Sequence, residues 1–316
     1  MRLLSATLAV LLACLAAPGP IGSALAQAAA SSEARKGPRS ATGSETVKRL
    51  LATGTINLGH RESSVPFSYY DNRKQVVGYS HDLMLKAVEI IRAELRLPSL
   101  TIKLVPVTPQ NRMALVRNGT VDLECASTTH NAERERQVGF SNSIFVIGTR
   151  LMTHRDSGIA DFADLTGRKV AVTAGTTSER LLRTFNERHG NRISIAAARD
   201  HGDAFALLEV GQAEAFMMDD ALLYGERAKS RNPEQWIVVG TPMSFEAYGC
   251  MLRHGDAGFK ALIDAALERL MRSGEAQATY SKWFQRPIPP RGLNLNWPPS
   301  EAVLELYRNP NDRPPR

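Results

Sequence analysis

The stretch GHRESSVPFSYYDN, from Gly59 to Asn72, follows a short apolar run, Thr55 to Leu58, that reads as a strand. It puts Arg61 and Glu62 where that strand ends, then two serines and a Pro-Phe-Ser-Tyr-Tyr run. A charged pair at that point matters because open α/β sheets bind ligands beyond the carboxyl ends of their strands. The flanking sequence fits such a sheet. Val47, Leu50 and Leu51 make a helical stripe closed by Gly54, and Leu83, Ala87, Ile90, Ile91 and Leu95 repeat at helical spacing until Pro98. A strand at 101–107, a short helix at 111–118 and a strand at 121–126 follow. After Gly148 the alternation restarts, with strands at 169–173, 193–197, 215–218 and 237–239 between helices at 178–188, 204–210 and 221–230. A strand at 249–252 precedes a long helix, 258–272, and another ending in Lys282-Trp283-Phe284. This alternation predicts an α/β fold with parallel sheets, and its two blocks predict two lobes.

The N-terminus speaks to compartment. Arg2, an apolar run from Leu3 to Ala17, a Pro/Gly break and the small-x-small triplet Ala24-Leu25-Ala26 read as a cleavable signal peptide over 1–26. The alternative is a lipoprotein box at Leu11-Leu12-Ala13-Cys14, which would leave a lipid on Cys14. Residues 27–43 lack an apolar period and read as a flexible linker. No later apolar run is long enough for a membrane helix. The net charge of +7 loses only Arg2 with the signal peptide, and the basic residues are dispersed. Nothing resembles a nucleic-acid-binding signature, so the charge points to an anionic ligand or a nearby anionic surface. A mature chain of about 290 residues exceeds one compact core, which again predicts two domains. Cys125 and Cys250 remain, as a disulfide or as two buried thiols.

The residues after each strand carry the chemistry. Arg61 follows the first. Thr108-Pro109-Gln110-Asn111-Arg112 follows the second, and Ser127-Thr128-Thr129, with Arg134 five residues on, follows the third. In the second block Gly175-Thr176-Thr177-Ser178 opens a helix, Asp200-His201 follows a strand, and so does Asp219-Asp220. Each has an ordinary reading: a solvated arginine, a hydroxyl that caps a helix, a capping aspartate. Their coincidence at one edge of both sheets carries the functional reading. Arginine presents a planar fork that suits carboxylates. The helix start at Thr176 offers N–H groups to an anion, and Asp219 suits an ammonium. Several arginines and a histidine against one aspartate fit an amino acid with an acidic side chain.

Longer stretches carry a resemblance. The quoted run, together with NGTVDLECASTTHNAERERQ, FVIGTRLMT, VTAGTTSE, DHGDAF, AFMMDDALLYGERAK, EAYGCMLR and KWFQRPIPP, resembles the periplasmic glutamate/aspartate-binding proteins of ABC importers. These lie within the polar amino-acid group of type II solute-binding proteins. The similarity runs from about Thr46 to about Asp312. It implies two Rossmann-like lobes with a ligand cleft between them, the Venus-flytrap architecture. Lobe 1 would comprise 44–147 and 241–316, including a C-terminal tail that wraps it as an irregular extension; lobe 2 would comprise 148–240. Both cysteines then fall in one lobe, which implies the Cys125–Cys250 bridge.

The resemblance also implies roles. Arg134, assisted by Ser127, Thr129 and Thr177, would clamp the α-carboxylate of L-glutamate or L-aspartate, and Asp219 would take the ammonium. Arg61, Arg112 and His201 would hold the distal carboxylate. Pro109 stands where the family carries a site serine, and it offers no donor. A membrane-embedded ABC permease is the implied partner of a monomeric protein. No cofactor, metal or catalytic residue is called for. Three rivals share the scaffold. A cyclohexadienyl or arogenate dehydratase would use His201 with Glu62 or Asp219 as acid and base. A ligand-sensing module would serve a membrane receptor. A lytic transglycosylase would need a catalytic domain for which this chain is too short.

Overall fold

Ser44 starts the first helix by accepting the Val47 N–H at 3.1 Å, and Gly54, in the left-handed region at φ 58°, ends it by donating to the Leu50 carbonyl. This helix, α1 (Glu45–Thr53), opens a computed structural model that describes residues 43–313. The signal peptide, Cys14 and all but the last residue of the linker lie outside the described residues. The chain continues through β1 (Thr55–His60), the short strands β2 (Ser63–Ser64), β3 (Ser68–Tyr70) and β4 (Val76–Val77), and α2 (Tyr79–Glu94). Then come β5 (Thr101–Pro106), α3 (Arg112–Arg117), β6 (Leu123–Glu124), α4 (Ala132–Glu135) and β7 (Val138–His154). The middle of the chain holds β8 (Lys169–Thr173), α5 (Thr177–Arg188), β9 (Ser194–Ala198), α6 (His201–Glu209), β10 (Ala215–Asp219), α7 (Asp220–Lys229) and β11 (Trp236–Val239). It ends with β12 (Phe245–Arg253), α8 (Ala257–Arg272), α9 (Glu275–Phe284), the hairpin β13–β14 (Pro287–Ile288, Leu293–Asn294) and α10 (Glu301–Arg308).

Nine strands form one sheet in the order β5-β1-β6-β12-β7-β10-β8-β9, with β11 also on β7. The sheet is mixed, which corrects the all-parallel expectation. β1 runs parallel to β5 and β6, and β8 runs parallel to β9 and β10, each pair joined through a helix. β7 and β12 run antiparallel to every neighbour. The reason is length. β7 spans 17 residues, about 57 Å at strand rise. Up to Gly148 it pairs with β12, and from Thr149 it pairs with β10, so one strand serves both halves of the sheet. Gly148 lies where the backbone is crowded: a Cβ there would stand 2.9 Å from Pro242 Cβ.

The largest apolar cluster spans both halves: it packs α2 and α8 on the first, with Leu83, Met84, Ala87, Ile91, Phe259, Ile263 and Leu267 buried, and takes in Phe205, Phe216, Leu222 and Trp236 on the second. A second gathers Leu151, Leu165, Val170, Val172, Leu182 and Met217 on the other half. The quoted stretch supplies β2 and β3 of the antiparallel ribbon β2–β3–β4, which follows β1. Phe67 anchors it, edge-on to Phe145 at 4.9 Å, Tyr248 at 5.1 Å and Phe284 at 5.8 Å. Burying such a ring contributes roughly 1.5–3 kcal/mol. Among the described residues, no helix is long and apolar enough to cross a membrane.

The tail is more regular than expected. Ser300 accepts the Val303 N–H at 3.3 Å and starts α10, whose Val303, Leu306 and Tyr307 are buried at i, i+3, i+4 spacing. Tyr307 shares a 2.7 Å hydroxyl contact with Tyr79. Trp297 packs on both Phe284 and Tyr224. Cys125 and Cys250 are disulfide-bonded, with their Cα atoms 4.3 Å apart, and tie the end of β6 to β12.

Candidate functional site

Each expected site residue sits where a strand ends or a helix begins. Arg61 follows β1, and its N–H donates to Ser68 Oγ of the ribbon at 3.0 Å. Arg112 is the first residue of α3, after a turn in which Asn111 Oδ1 accepts the Thr108 N–H at 2.8 Å. Ser127 and Thr129 follow β6. Arg134 lies in α4, whose start Asn131 caps by accepting the Arg134 N–H at 3.0 Å. Thr177 and His201 open α5 and α6, capped by Thr176 and Asp200, and Asp219 ends β10.

All eight side chains are buried, between 1 and 8 % exposed. None lies on the outer surface. Arg112 Nη1 donates to the Ser127 carbonyl at 3.1 Å and to Thr128 Oγ1 at 2.5 Å. Arg134 Nη1 donates to the Thr129 carbonyl at 2.8 Å. Thr129 and Thr177, from opposite halves of the sheet, bring their hydroxyls within 3.4 Å. Ser127 Oγ lies 3.4 Å from Ser64 Oγ. Asp219 accepts from the hydroxyls of Thr149 at 3.3 Å, Ser178 at 3.2 Å and Tyr248 at 2.5 Å. His201 Nδ1 is 2.8 Å from Thr173 Oγ1.

Four nitrogens are left over. Both terminal nitrogens of Arg61, Arg112 Nε and His201 Nε2 are buried without a hydrogen-bond partner among the described residues. Burial, and then the Arg112 charge, lower Arg61 to about 10, still protonated at neutral pH. The same two causes bring Arg134 to about 10. Burial lowers Arg112 as well. His201 is driven well below its ordinary value by burial and then by Arg61 and Arg112, so it is neutral at pH 7. Burial, followed by the Glu246 charge, raises Asp219.

Two carboxylates that the strand-end reading passed over share the site. Glu124, fully buried on β6, accepts from Thr128 Oγ1 at 2.8 Å and is raised by burial against the pull of Arg112. Glu246, on β12, accepts from Thr177 Oγ1 at 2.7 Å, from Thr129 Oγ1, and from Ser244 Oγ at 3.3 Å. The cluster therefore sets three acids, not one, against three arginines. A signal was available in VDLECA and FEAYGC, where acids interrupt an otherwise apolar strand. Pro109 is buried near the site, and Gly175, at φ 78°, faces it so closely that a Cβ would lie 3.1 Å from the Pro109 carbonyl carbon.

The two halves also meet around the site. Arg180 pairs with Glu133 at 2.7 Å, Gln110 Nε2 donates to the Arg199 carbonyl at 3.3 Å, and Lys229 Nζ donates to Ser63 Oγ at 3.2 Å. A Cβ on Gly225 would fall 2.0 Å from the Val65 carbonyl oxygen, so only glycine admits this approach.

Comparison with known proteins places the chain in a family. Residues 56–286 match the model of the bacterial extracellular solute-binding proteins, family 3. The chain is 54% identical over 269 residues to an L-glutamate/L-aspartate-binding protein of Pseudomonas aeruginosa, covering 85% of this chain and 89% of that one. It is 52% identical over 268 residues to a glutamate/aspartate import solute-binding protein of Escherichia coli, with the same coverage. A solved ancestral arginine-binding protein bound to arginine superposes with a TM-score of 0.65 at 28% identity, over 73% of this chain and 98% of that one. The fold is that of the type II periplasmic binding proteins.

Proposed function

The chain belongs to the bacterial extracellular solute-binding proteins of family 3, and on that premise we propose that it captures L-glutamate or L-aspartate in the periplasm for a membrane-embedded ABC permease. One observation carries the reading: among the described residues the paired terminal nitrogens of Arg61 are buried, charged and without a hydrogen-bond partner, and Nε2 of His201 is likewise buried without one. A buried fork of this kind requires an acceptor pair, and a side-chain carboxylate supplies one. Arg134, with Ser127 and the backbone N–H groups at Thr129 and Thr177, takes the α-carboxylate; Asp219 takes the ammonium, whose charge would draw its raised pKa back down. Arg112 supports the distal end.

Glu124 and Glu246 offset much of the arginine charge, so selectivity comes from donor placement rather than from net charge. Glutamine would turn donors toward Arg61 and leave it unpaired. The two α/β lobes, 44–147 with 241–316 and 148–240, close on the ligand, and the Arg180–Glu133, Gln110–Arg199 and Lys229–Ser63 contacts join them when closed. The protein works by binding rather than by catalysis. His201, the acid/base candidate of the dehydratase reading, is kept a weak base by burial and then by the Arg61 and Arg112 charges.

A thermal-shift screen over the twenty amino acids, followed by calorimetry, tests this. L-glutamate and L-aspartate should raise the melting temperature and bind at micromolar Kd or tighter, about −8 kcal/mol or more favourable. An equal response to L-glutamine, or a response only to a non-acidic amino acid, would overturn it.

A further inference from the structure

We infer that Glu246 is a positioning residue that makes the site sense the ligand's amino group, by turning the Thr129 and Thr177 hydroxyls into acceptors. The inference rests on the glutamate/aspartate reading above and deepens it. A carboxylate only accepts hydrogen bonds, and a hydroxyl has one proton to give. Thr129 Oγ1 and Thr177 Oγ1 both reach Glu246 Oε2, so each spends its proton there. What remains on each oxygen is lone-pair density, which suits an ammonium N–H and not a carboxylate. The α-carboxylate is then left to Arg134 and to backbone N–H groups.

Hydrogen-bond capacity at Asp219 points the same way. An ionised carboxylate has about four acceptor positions. Tyr248, Thr149 and Ser178 already fill three at Asp219. An ammonium carries three protons, so Asp219 alone does not satisfy it, and two more acceptors are needed close by. The threonine hydroxyls, 3.4 Å apart and oriented by one carboxylate oxygen, supply them. Thr129 belongs to the loop after β6 and Thr177 to the start of α5, on opposite halves of the sheet. Glu246 lies on β12, just past the segment that returns from the second half to the first. The acceptor pair is complete only when both halves meet at Glu246, which couples recognition of the amino group to closure.

The test compares L-glutamate with glutarate, the same diacid without the amino group, by fluorescence titration of the wild type and of Glu246→Gln. A glutamine presents an N–H donor where one threonine proton points, which disturbs the hydroxyl orientation. Glutamate affinity should fall by roughly ten-fold or more and glutarate affinity by less than about three-fold. A structural or general closure role would lower both equally, and that outcome, or no change in either, overturns the inference. Thr177→Val, which deletes one hydroxyl and keeps the shape, should show the same selective loss, so the question remains answerable if Glu246→Gln folds poorly. If the wild type fails to bind glutamate, the function above fails; the same ratio is then read with the amino acid found by the screen and its deaminated analogue.

Discussion

Under the proposed function Arg134 and Asp219 meet the two opposite charges at the ligand's α-carbon, so each should be indispensable in a different way. Both are buried, and truncating either leaves the other's charge facing an unbalanced ligand. Loss of one partner of a desolvated pair costs roughly 2–5 kcal/mol, about thirty-fold or more in Kd. We expect Arg134→Ala and Asp219→Ala each to abolish micromolar glutamate binding in calorimetry; near-native affinity in either variant would refute the assignment. The eight residues were legible because each closes a strand or opens a helix, positions that periodicity and capping chemistry reveal. Glu124 and Glu246 were not, because they lie inside strands. Alternation there shows that a side chain alternates between faces but does not say what faces it from a strand more than 100 residues away.

Among elements, β7 shows the limit most clearly. Its Ser141, Asn142 and Ser143 interrupt the apolar pattern, and its glycines read as breaks, so no strand was expected there. Tertiary pairing supplied what the pattern lacked: Ser141 Oγ accepts the Cys250 N–H at 2.9 Å, and the strand is covered on both edges. The tail helix α10 was missed for a different reason. Pro289, Pro290, Pro298 and Pro299 before it suggested an irregular path, yet Glu301–Arg308 contains no proline and carries its own cap. The Cys125–Cys250 bridge joins β6 to β12 across 125 residues of chain. Closing so long a loop restricts the unfolded chain, and about 2–4 kcal/mol is the usual gain. The double variant Cys125→Ala/Cys250→Ala should lose about that much in denaturant unfolding, with glutamate binding retained where the fold persists; an unchanged midpoint would count against a stabilising role.

At the scale of the molecule, buried ionisable groups make stability depend on pH. Burial brings His81 down to about 4, and its Nδ1 has no partner among the described residues. His60 also lowers it, while Asp82 acts in the opposite direction. Between pH 6.5 and about 4 the unfolded chain therefore takes up a proton that the folded chain refuses, and stability falls as pH falls. Between pH 7 and pH 5 the loss from this one group is about 2 kcal/mol. Asp220, raised by burial to about 6, works the other way and partly masks it. The comparison is therefore made against His81→Leu: ligand-free unfolding at the two pH values should show a smaller acid loss in the variant, by about 2 kcal/mol. Equal losses would mean that His81 is protonated in the folded protein.

By itself the sequence determined where helices start, where strands end and which strand-end residues could serve an anionic ligand. Those outcomes depend on neighbours a few residues apart: a hydroxyl and the N–H three positions on, a glycine that accepts a left-handed turn, an apolar stripe at helical spacing. Only the tertiary structure decided that β7 runs antiparallel through both halves, with β12 beside it in the first. It also decided that three acids accompany three arginines, and that the hydroxyls of Thr129 and Thr177 point at Glu246. These are contacts between residues tens to more than a hundred positions apart, and their partners are set by strand register and by the meeting of the two halves, which no local pattern encodes.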